Sequence, residues 1–158
     1  VNNAAMFGQD GWEAMDAASL DAHFRLNLFA PLLLSTALVK AHGNRPAIVH
    51  IVDQRVRNPN GDQLSYTLSK QALAASVRSM AAALAPHARV NGVAPGGTLT
   101  PMVERLGEDY IREEALRYPM QRLGTADEVA AAVVFVASDA ASLMTGTSLV
   151  IDGGWTAQ

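Results

Sequence analysis

Cysteine is absent from the 158-residue sequence, which excludes disulfide bonds, thiolate catalysis and cysteine-based zinc sites. The four histidines share no spacing typical of metal ligands, so we expect no metal site. Twelve basic against 15 acidic residues give a net charge of −3, and such a chain lacks the basic stripe that nucleic-acid binding requires. No apolar run reaches the ~20 residues of a membrane span. We therefore expect neither a nucleic acid nor a membrane as partner.

The N-terminal residues Val1-Asn-Asn3 carry neither the basic region of a signal peptide nor an initiator methionine. We expect a cytoplasmic protein whose natural N-terminus lies upstream of Val1. The composition, with 49% hydrophobic and 17% charged residues, is typical of a globular domain. Internal repeats, low-complexity tracts and linkers are not evident, so residues 1–158 are predicted to belong to a single domain.

A tyrosine and a lysine four residues apart, Tyr66 and Lys70, are the strongest indication of chemistry. At this spacing two side chains lie on the same face of a helix. A lysine is charged at neutral pH, and its charge is expected to favour the phenolate and lower the pKa of Tyr66. The pair predicts a tyrosine that acts as general acid, although a Tyr-x-x-x-Lys pair is weak evidence when it stands alone.

Hydrophobic periodicity alternates between helix and strand, the pattern of a parallel sheet covered on both faces. Ser19 is predicted to cap a first helix that runs to about residue 41. Pro31 should bend this helix and Gly43 should end it. The other predicted elements are a strand at 47–52, a loop at 55–62, a helix at 63–84, a strand at 89–94, a lid-like connection at 95–107, a helix from a capping box at 125–128 to about 138, and a strand at 147–151. Asp53 thus follows a buried strand, at the end where ligands bind in open α/β sheets.

Several further motifs occur in a fixed order. They are Val1-Asn-Asn-Ala-Ala5, Asn27 within Leu-Asn-Leu, Pro95-Gly-Gly-Thr-Leu-Thr-Pro-Met102, Met120-Gln-Arg-Leu-Gly124, Glu128-Val-Ala130 and Val150-Ile-Asp-Gly-Gly154. Together with Tyr66 and Lys70, this set resembles the classical short-chain dehydrogenases/reductases over essentially the whole chain. The resemblance implies an α/β, Rossmann-type doubly wound parallel sheet. The family's Gly-x-x-x-Gly-x-Gly turn does not occur, so we expect the C-terminal part of this domain without its first strands.

The resemblance also implies roles for individual residues. Tyr66 would donate a proton, Lys70 would acidify it and bind the nicotinamide ribose, and Asn27 would order a water that links Lys70 to solvent. The alternative for Asn27 is a buried amide that only satisfies backbone groups. The residues expected at the cofactor are Asn3, Ala4, Ala5, Tyr66, Lys70, Pro95, Gly96, Thr98 and Thr100. NADPH is the expected cofactor, NADH is not excluded, and a homotetramer packed through the two long helices is the expected assembly.

Asp53 stands where most members of this family carry serine, whose hydroxyl donates to the substrate carbonyl. An ionised aspartate only accepts, and at ~4 Å from a developing oxyanion it would oppose reduction by about 4 kcal/mol at an effective dielectric constant of ~20. A substrate with N–H groups, or with an imine nitrogen that takes up a proton, removes this conflict. Asp53 followed by Gln-Arg-Val resembles the pteridine reductase and dihydromonapterin/dihydrofolate reductase branch. We therefore predict reduction of a C=N bond in a dihydropterin, with Phe7 stacked on the pterin ring.

Three alternatives remain at this stage. Asp53 would serve only as the cap of an Asx turn if it did not face the substrate. A neutral Asp53 would fit a carbonyl reductase of the 3-oxoacyl or sugar type. A chain that truly begins at Val1 would be a non-catalytic fragment or a partner subunit.

Overall fold

The computed structural model describes residues 1–42 and 45–158. The helices are α1 (Ala17–Phe24), α2 (Ala30–Ala41), α3 (Leu64–Leu84), α4 (Pro101–Glu104), α5 (Glu108–Ala115) and α6 (Ala126–Ala137). The strands are β1 (Ala47–Ile51), β2 (Arg89–Pro95), β3 (Thr98–Leu99), β4 (Gly124–Thr125) and β5 (Ser148–Ile151). A π-helical turn at Arg25–Phe29 joins α1 to α2, and 3₁₀ turns lie at Gln54–Val56, Asp139–Ala141 and Trp155–Ala157.

A parallel sheet in the order β1-β2-β5 forms the centre of the molecule. In its register Ala47 lies opposite Arg89. Asn2 continues the sheet on the other side of β1, because its N–H donates to the carbonyl of Val49 and its own carbonyl accepts from the N–H of Ile51. β1 is therefore an interior strand, with hydrogen-bonded neighbours on both sides.

Helices cover both faces of the sheet. Ile48 of β1 packs in a cluster with Ala81 of α3, whereas its neighbour Val49 packs with Val136 of α6. Successive residues of a strand point to opposite faces, so a continuous apolar strand needs a helix on each side. Full burial of one such valine contributes roughly 1.5–3 kcal/mol. The predicted doubly wound α/β arrangement is confirmed.

The start of the first helix differs from the prediction. Its N-cap is Asp16, whose Oδ1 accepts the N–H of Ser19 at 2.7 Å. The prediction that Ser19 is the cap was wrong, because the Ser19 hydroxyl instead donates to Asp10 at 2.6 Å. Aspartate and serine cap helices about equally well, so residue type alone does not distinguish positions 16 and 19. The predicted end at Gly43 lies outside the described residues.

Pro31 was predicted to bend the first helix, and a π-helical turn, Arg25–Phe29, lies just before it. Proline has no N–H, so Pro31 cannot donate to the carbonyl of Asn27, four residues back. In the π turn the N–H of Ala30 donates to the carbonyl of Arg25, five residues back. Such turns within α-helices are frequent at functional sites. Here the turn carries the buried Asn27.

Two predictions on the second half of the chain had different outcomes. The capping box is confirmed, because Thr125 and Glu128 each bond the other's backbone N–H at the start of α6. The connection at 95–107, predicted to be long enough to act as a lid, contains short regular elements, and its action as a lid stays a prediction. It contains β3, which pairs with β4, and α4, whose N-cap is Thr100. Helix α5, which follows it, had no sequence prediction.

The segment Ala17–Ala41 is a 25-residue helical stretch that is long and apolar enough to cross a membrane by length and composition alone. Its most hydrophobic 18-residue window has a mean hydropathy of 1.3. A core helix of a soluble protein passes the same test. The segment buries His23, Asn27, Pro31 and Ser35 against the rest of the chain, and in the structure it packs as part of the α/β fold.

Candidate active site

Three of the predicted catalytic residues meet where β1 ends and α3 begins. Asp53 follows β1, and Tyr66 and Lys70 lie on the buried face of α3. The Tyr66 hydroxyl donates a hydrogen bond to Asp53 Oδ2 at 2.6 Å. The structure therefore places a potential proton donor and a carboxylate side by side at the carboxyl end of the sheet.

The two oxygens of Asp53 have different partners. Oδ1 accepts the N–H of Arg55 at 2.8 Å and caps the 3₁₀ turn Gln54–Val56, while Oδ2 accepts from Tyr66. Oδ1 thus forms the turn cap expected from the Asx-turn alternative, and Oδ2 faces Tyr66 as the active-site prediction expects. Because the cap fixes the carboxylate group, Oδ2 is held in place next to the Tyr66 hydroxyl.

The prediction that Lys70 lowers the pKa of Tyr66 is wrong. Burial raises the pKa of Tyr66 above its ordinary value, and the charge of Asp53 and its hydrogen bond raise it further. The positive charge of Arg55 opposes this effect. A phenolate here would face a carboxylate at hydrogen-bond distance, which strongly disfavours it. Tyr66 therefore keeps its proton as long as the charge of Asp53 is not neutralised.

Lys70 lies beneath this pair and is buried. Its Nζ donates to the carbonyl of Ile51 at 2.7 Å and lies 5.8 Å from the centroid of the Tyr66 ring. Burial lowers the pKa of Lys70, and the charge of Asp53 opposes this. An ammonium group has three N–H donors, so the bond to Ile51 leaves two for other acceptors.

Asn27 is buried next to the same site, and both polar atoms of its side chain bond to protein groups. Oδ1 accepts the N–H of Met6 at 2.7 Å, and Nδ2 donates to the carbonyl of Met6 at 2.9 Å and to Ser69 Oγ at 3.0 Å. This geometry agrees with the alternative in which the amide satisfies backbone groups. A water held by Asn27 would therefore use its backbone carbonyl, to which Pro31 cannot donate.

Phe7 lies at the entrance to the site. Its ring meets the Tyr66 ring edge-on, with centroids 4.9 Å apart and planes at 75°, and half of the residue is exposed. A ring in this geometry contributes a stabilising aromatic contact and keeps one face toward solvent. The structure thus places Phe7 where a flat ligand next to Tyr66 would meet it.

Several of the predicted cofactor residues line one cavity of about 480 Å³. They are Asn3, Pro95, Thr98 and Thr100, which are joined by Val1, Ile51 and apolar residues of α6. Ile51 connects this cavity to the catalytic residues, because its carbonyl binds Lys70. Ala4 and Ala5 are exposed and are not among the lining residues.

The turn after β2 is shaped by close backbone approach. A Cβ on Gly96 would lie 2.7 Å from the Cα of Asp152, so this position requires glycine. The Thr98 hydroxyl donates to the Gly96 carbonyl at 3.0 Å. The Thr100 hydroxyl accepts the N–H of Val103 at the start of α4. Thr100 thus caps a helix in this structure, in addition to lining the cavity.

Sequence reasoning missed one buried contributor and undervalued another. Tyr118 accepts the N–H of Gly97 at 2.9 Å, next to the predicted cofactor turn. It belongs to no motif or periodic pattern, so nothing in the sequence marked it. Arg55 lowers the pKa of Tyr66 by its charge. Its position directly after the catalytic strand was a signal, but a loop arginine is exposed by default.

Comparison with known proteins identifies the family. A family model described as enoyl-(acyl carrier protein) reductase matches residues 1–156. The chain belongs to the short-chain dehydrogenase/reductase family. The curated relatives of this family that match first are longer proteins, and the chain spans 47% to 64% of their length.

The family members that resemble this chain have names that describe different reactions. Galactitol 2-dehydrogenase of Rhizobium johnstonii is 39% identical over 99% of this chain and 64% of its own length. Pteridine reductase 1 of Leishmania tarentolae is 34% identical over 99% of this chain and 62% of its own length. A crystal structure of the alternative dihydrofolate reductase 1 FolM from Brucella canis, complexed with NADP, matches with a TM-score of 0.87. It is 36% identical and covers 99% of this chain and 62% of that chain.

Proposed function

We propose that the protein is an NADPH-dependent reductase that transfers hydride to a C=N bond of a dihydropterin or related pteridine. The observation that carries this proposal is the hydrogen bond from the Tyr66 hydroxyl to Asp53 Oδ2 at 2.6 Å. It puts a carboxylate, rather than a hydroxyl donor, beside the proposed acid. The resemblance to pteridine reductase 1 and to the FolM structure supports the same reading.

The residues around the cavity fit the nicotinamide end of a dinucleotide. Thr98 and Thr100 offer hydroxyls beside an apolar wall from α6. Lys70 has N–H donors for ribose hydroxyls and reaches the edge of the cavity through Ile51. When bound, NADPH supplies the hydride.

Asp53 selects the substrate in this proposal. Its carboxylate accepts hydrogen bonds from the N–H edge of the pteridine, which partly neutralises its charge. The influence that raises the pKa of Tyr66 is thereby reduced, and the Tyr66 proton becomes available to the ring nitrogen. A carbonyl substrate offers no N–H donor and develops negative charge against the same carboxylate. The site therefore favours a substrate whose nitrogen takes up a proton over a substrate whose oxygen becomes negatively charged.

For each hydride delivered to the carbon of the C=N bond, Tyr66 gives one proton to its nitrogen. The C=N bond is thereby reduced to a C–N bond that carries both hydrogens. Lys70 stabilises the resulting phenolate by its charge, from its position under the Tyr66 ring. Tyr66 regains its proton from solvent. Asn27 assists this transfer because its backbone carbonyl, at the π-helical turn, would order the water that links Lys70 to solvent. Phe7 covers the flat ring from the entrance.

A substrate panel tests the proposal on the purified full-length protein. NADPH oxidation is followed with dihydrobiopterin, dihydromonapterin, dihydrofolate and an acetoacetyl thioester, and we expect turnover with at least one of the three pteridines. Turnover confined to the thioester would exclude the pteridine function.

Tyr66→Phe should abolish turnover and leave NADPH binding intact, because it removes only the proton. Substantial residual activity in this variant would show that another group is the acid.

Oxidation of a sugar alcohol is the second candidate, since galactitol 2-dehydrogenase is 39% identical to this chain. It requires a neutral Asp53, which then donates a hydrogen bond as serine does. Adding galactitol with NAD⁺ or NADP⁺ to the panel separates the two functions. A sugar function predicts turnover of galactitol and none of the pteridines, whereas the pteridine function predicts the reverse.

We also propose that the protein assembles as a homotetramer. One face of α2 and the preceding turn exposes a stripe of large apolar side chains, namely Leu26, Phe29, Leu33, Leu34 and Leu38. A second exposed apolar surface lies on and after α6, at Val134, Phe135 and Leu143. A tetramer with two kinds of two-fold interface needs two separate faces, and these two exposed apolar surfaces are the candidates for them.

A further inference from the structure

Tyr118 lies where three segments of the chain meet. Its ring packs on the Trp155 ring with centroids 5.0 Å apart, and its hydroxyl accepts the N–H of Gly97 at 2.9 Å. On the other side of Trp155, the Arg117 guanidinium lies 5.3 Å from the ring centroid. Because Tyr118 is buried, its hydroxyl is fixed by packing before any ligand binds.

Gly97 is matched to this hydroxyl. A Cβ at residue 97 would lie 2.5 Å from Tyr118 Oη, so only glycine lets the tyrosine reach the backbone. The Gly97 carbonyl accepts the N–H of Gly124 at 2.9 Å, on the β3–β4 side. Both backbone polar groups of Gly97 are therefore bonded, its N–H to Tyr118 and its carbonyl to the chain near α6.

The segment around Gly97 is the one that would hold the nicotinamide end. Thr98 lines the 480 Å³ cavity, and its hydroxyl bonds back to Gly96. Without the Tyr118 hydroxyl, the N–H of Gly97 would lose its acceptor, and a backbone donor without a partner favours a changed turn. A change in the turn would displace Thr98.

The C-terminal 3₁₀ turn, Trp155–Ala157, carries the Trp155 ring on which Tyr118 packs. Asp152 accepts from the N–H groups of Gly154 and Thr156 and so fixes Trp155 between them. The Trp155 carbonyl accepts from Asn58 Nδ2 at 3.4 Å, on the loop that follows Asp53. Trp155 thus links the Tyr118 ring to the loop that follows Asp53.

We propose that Tyr118 is a positioning residue for the dinucleotide: its hydroxyl holds the Gly97 peptide so that Thr98 faces the cofactor. This inference rests on the proposed function only in assuming that the protein binds NADP(H). The pteridine substrate plays no part in it.

Tyr118→Phe in the full-length protein tests the proposal, because it removes the hydroxyl and keeps the ring on Trp155. We expect the Kd for NADP⁺, measured by calorimetry, to rise about threefold to tenfold, the loss typical of one neutral hydrogen bond. The KM for NADPH should rise in parallel while kcat at saturating NADPH stays near that of the wild type. Tyr110→Phe is the matched control, since Tyr110 is an exposed tyrosine on α5. An unchanged Kd in Tyr118→Phe overturns the proposal.

Gly97→Ala gives an independent measurement if the tyrosine variant does not fold. It should weaken NADP⁺ binding by displacing Tyr118 Oη, whereas Gly61→Ala should have no effect, because a Cβ there meets nothing within 4 Å. Gly97→Ala should also cost less in the Tyr118→Phe background, where the colliding oxygen is gone. Wild-type affinity in Gly97→Ala, or fully additive effects in the double variant, overturns the proposal.

Wild-type protein that binds no dinucleotide overturns both this inference and the proposed cofactor. Failure of the pteridine panel alone does not affect the inference on Tyr118.

Discussion

Asp53 and Tyr66 illustrate how one side chain changes what its neighbour can do. The carboxylate at 2.6 Å makes the phenol a poor acid, since its charge adds to the effect of burial, which raises the pKa of Tyr66. The Tyr-x-x-x-Lys spacing alone predicted the opposite, because it considers only the lysine. The acidity of Tyr66 thus becomes conditional on a ligand that satisfies Asp53, and this condition is a form of substrate selection.

Asp53→Ser should shift preference from pteridines toward ketones. The serine hydroxyl donates to a carbonyl oxygen and removes the negative charge that opposes an oxyanion by about 4 kcal/mol at an effective dielectric of ~20. We expect kcat/KM for dihydropterins to fall at least tenfold and that for an acetoacetyl thioester to rise, both measured by NADPH oxidation. Asp109→Ser, in an exposed ion pair with Arg112, is the control. An unchanged substrate profile would show that the Asp53 carboxylate has no role in selection.

His50 should make the fold sensitive to mild acid. It is fully buried in β1, and its Nδ1 lies 3.1 Å from Asn2 Nδ2, an amide nitrogen that can only donate. Burial, helped by nearby positive charge that includes Lys70, lowers the pKa of His50 from 6.5 to about 4. The unfolded chain therefore takes up this proton first, near pH 6.5, and stability is lost as the pH falls from about 6.5 toward 4.

The expected loss is about 2 kcal/mol in the free energy of unfolding between pH 7 and pH 5, from the linkage between the two pKa values. Urea unfolding at both pH values measures it. In His50→Asn most of this difference should disappear, while His87→Asn, at an exposed position, should keep it. Equal pH dependence in wild type and His50→Asn would show that other groups cause the acid sensitivity.

At the scale of elements, the sequence predicted those whose signal is local. The capping box of α6 and the start of α3 are set by residues within one turn, and both lie within a residue of the prediction. The N-cap of α1 was misplaced because two capping residues compete, and Asp10 decides between them from outside the helix by binding Ser19. The short strand β3 within the connection after β2 had no sequence prediction, because β3 exists only by pairing with β4, about 25 residues later in the sequence. Pairing at such distance leaves no local pattern.

The end of α6 depends on a similar distant partner, Arg89 at the start of β2. Its guanidinium donates to the carbonyls of Val136, Ala137 and Ser138, the last groups of the helix, and to that of Met144. Carbonyls at a helix C-terminus have no partners within the helix, and a positive charge there is also favoured by the helix dipole. One side chain therefore joins the central strand to the end of the helix above it.

Arg89→Met should lower the free energy of unfolding by about 2–4 kcal/mol, because several charge-assisted hydrogen bonds are lost and the carbonyls remain partly buried. Urea denaturation checks the value. Arg78→Met, at an exposed position on α3, removes the same charge elsewhere and should change stability by less than about 0.5 kcal/mol. A similar small effect in both variants would mean that water replaces the guanidinium at the helix end.

At the scale of the whole molecule, the sheet explains which surfaces are available for assembly. Its two faces are packed against α3 and α6, and exposed apolar surfaces remain on α2 and on and after α6. The stripe on α2 is the largest of these surfaces. Its leucines could be predicted from periodicity, but whether they face the core or solvent could not, because both arrangements use the same pattern.

Leu33→Glu combined with Leu34→Glu should convert the proposed tetramer to dimers. These side chains are 70% and 63% exposed at the centre of the stripe, so the charges cost little in the isolated subunit but would be buried across a two-fold axis. Light scattering coupled to size exclusion measures the mass, and we expect a halving for this variant. Leu116→Glu, at an exposed leucine outside α2, should leave the mass unchanged. A wild-type monomer, or a variant that remains tetrameric, would show that the α2 stripe is not an interface and that its exposure needs another partner.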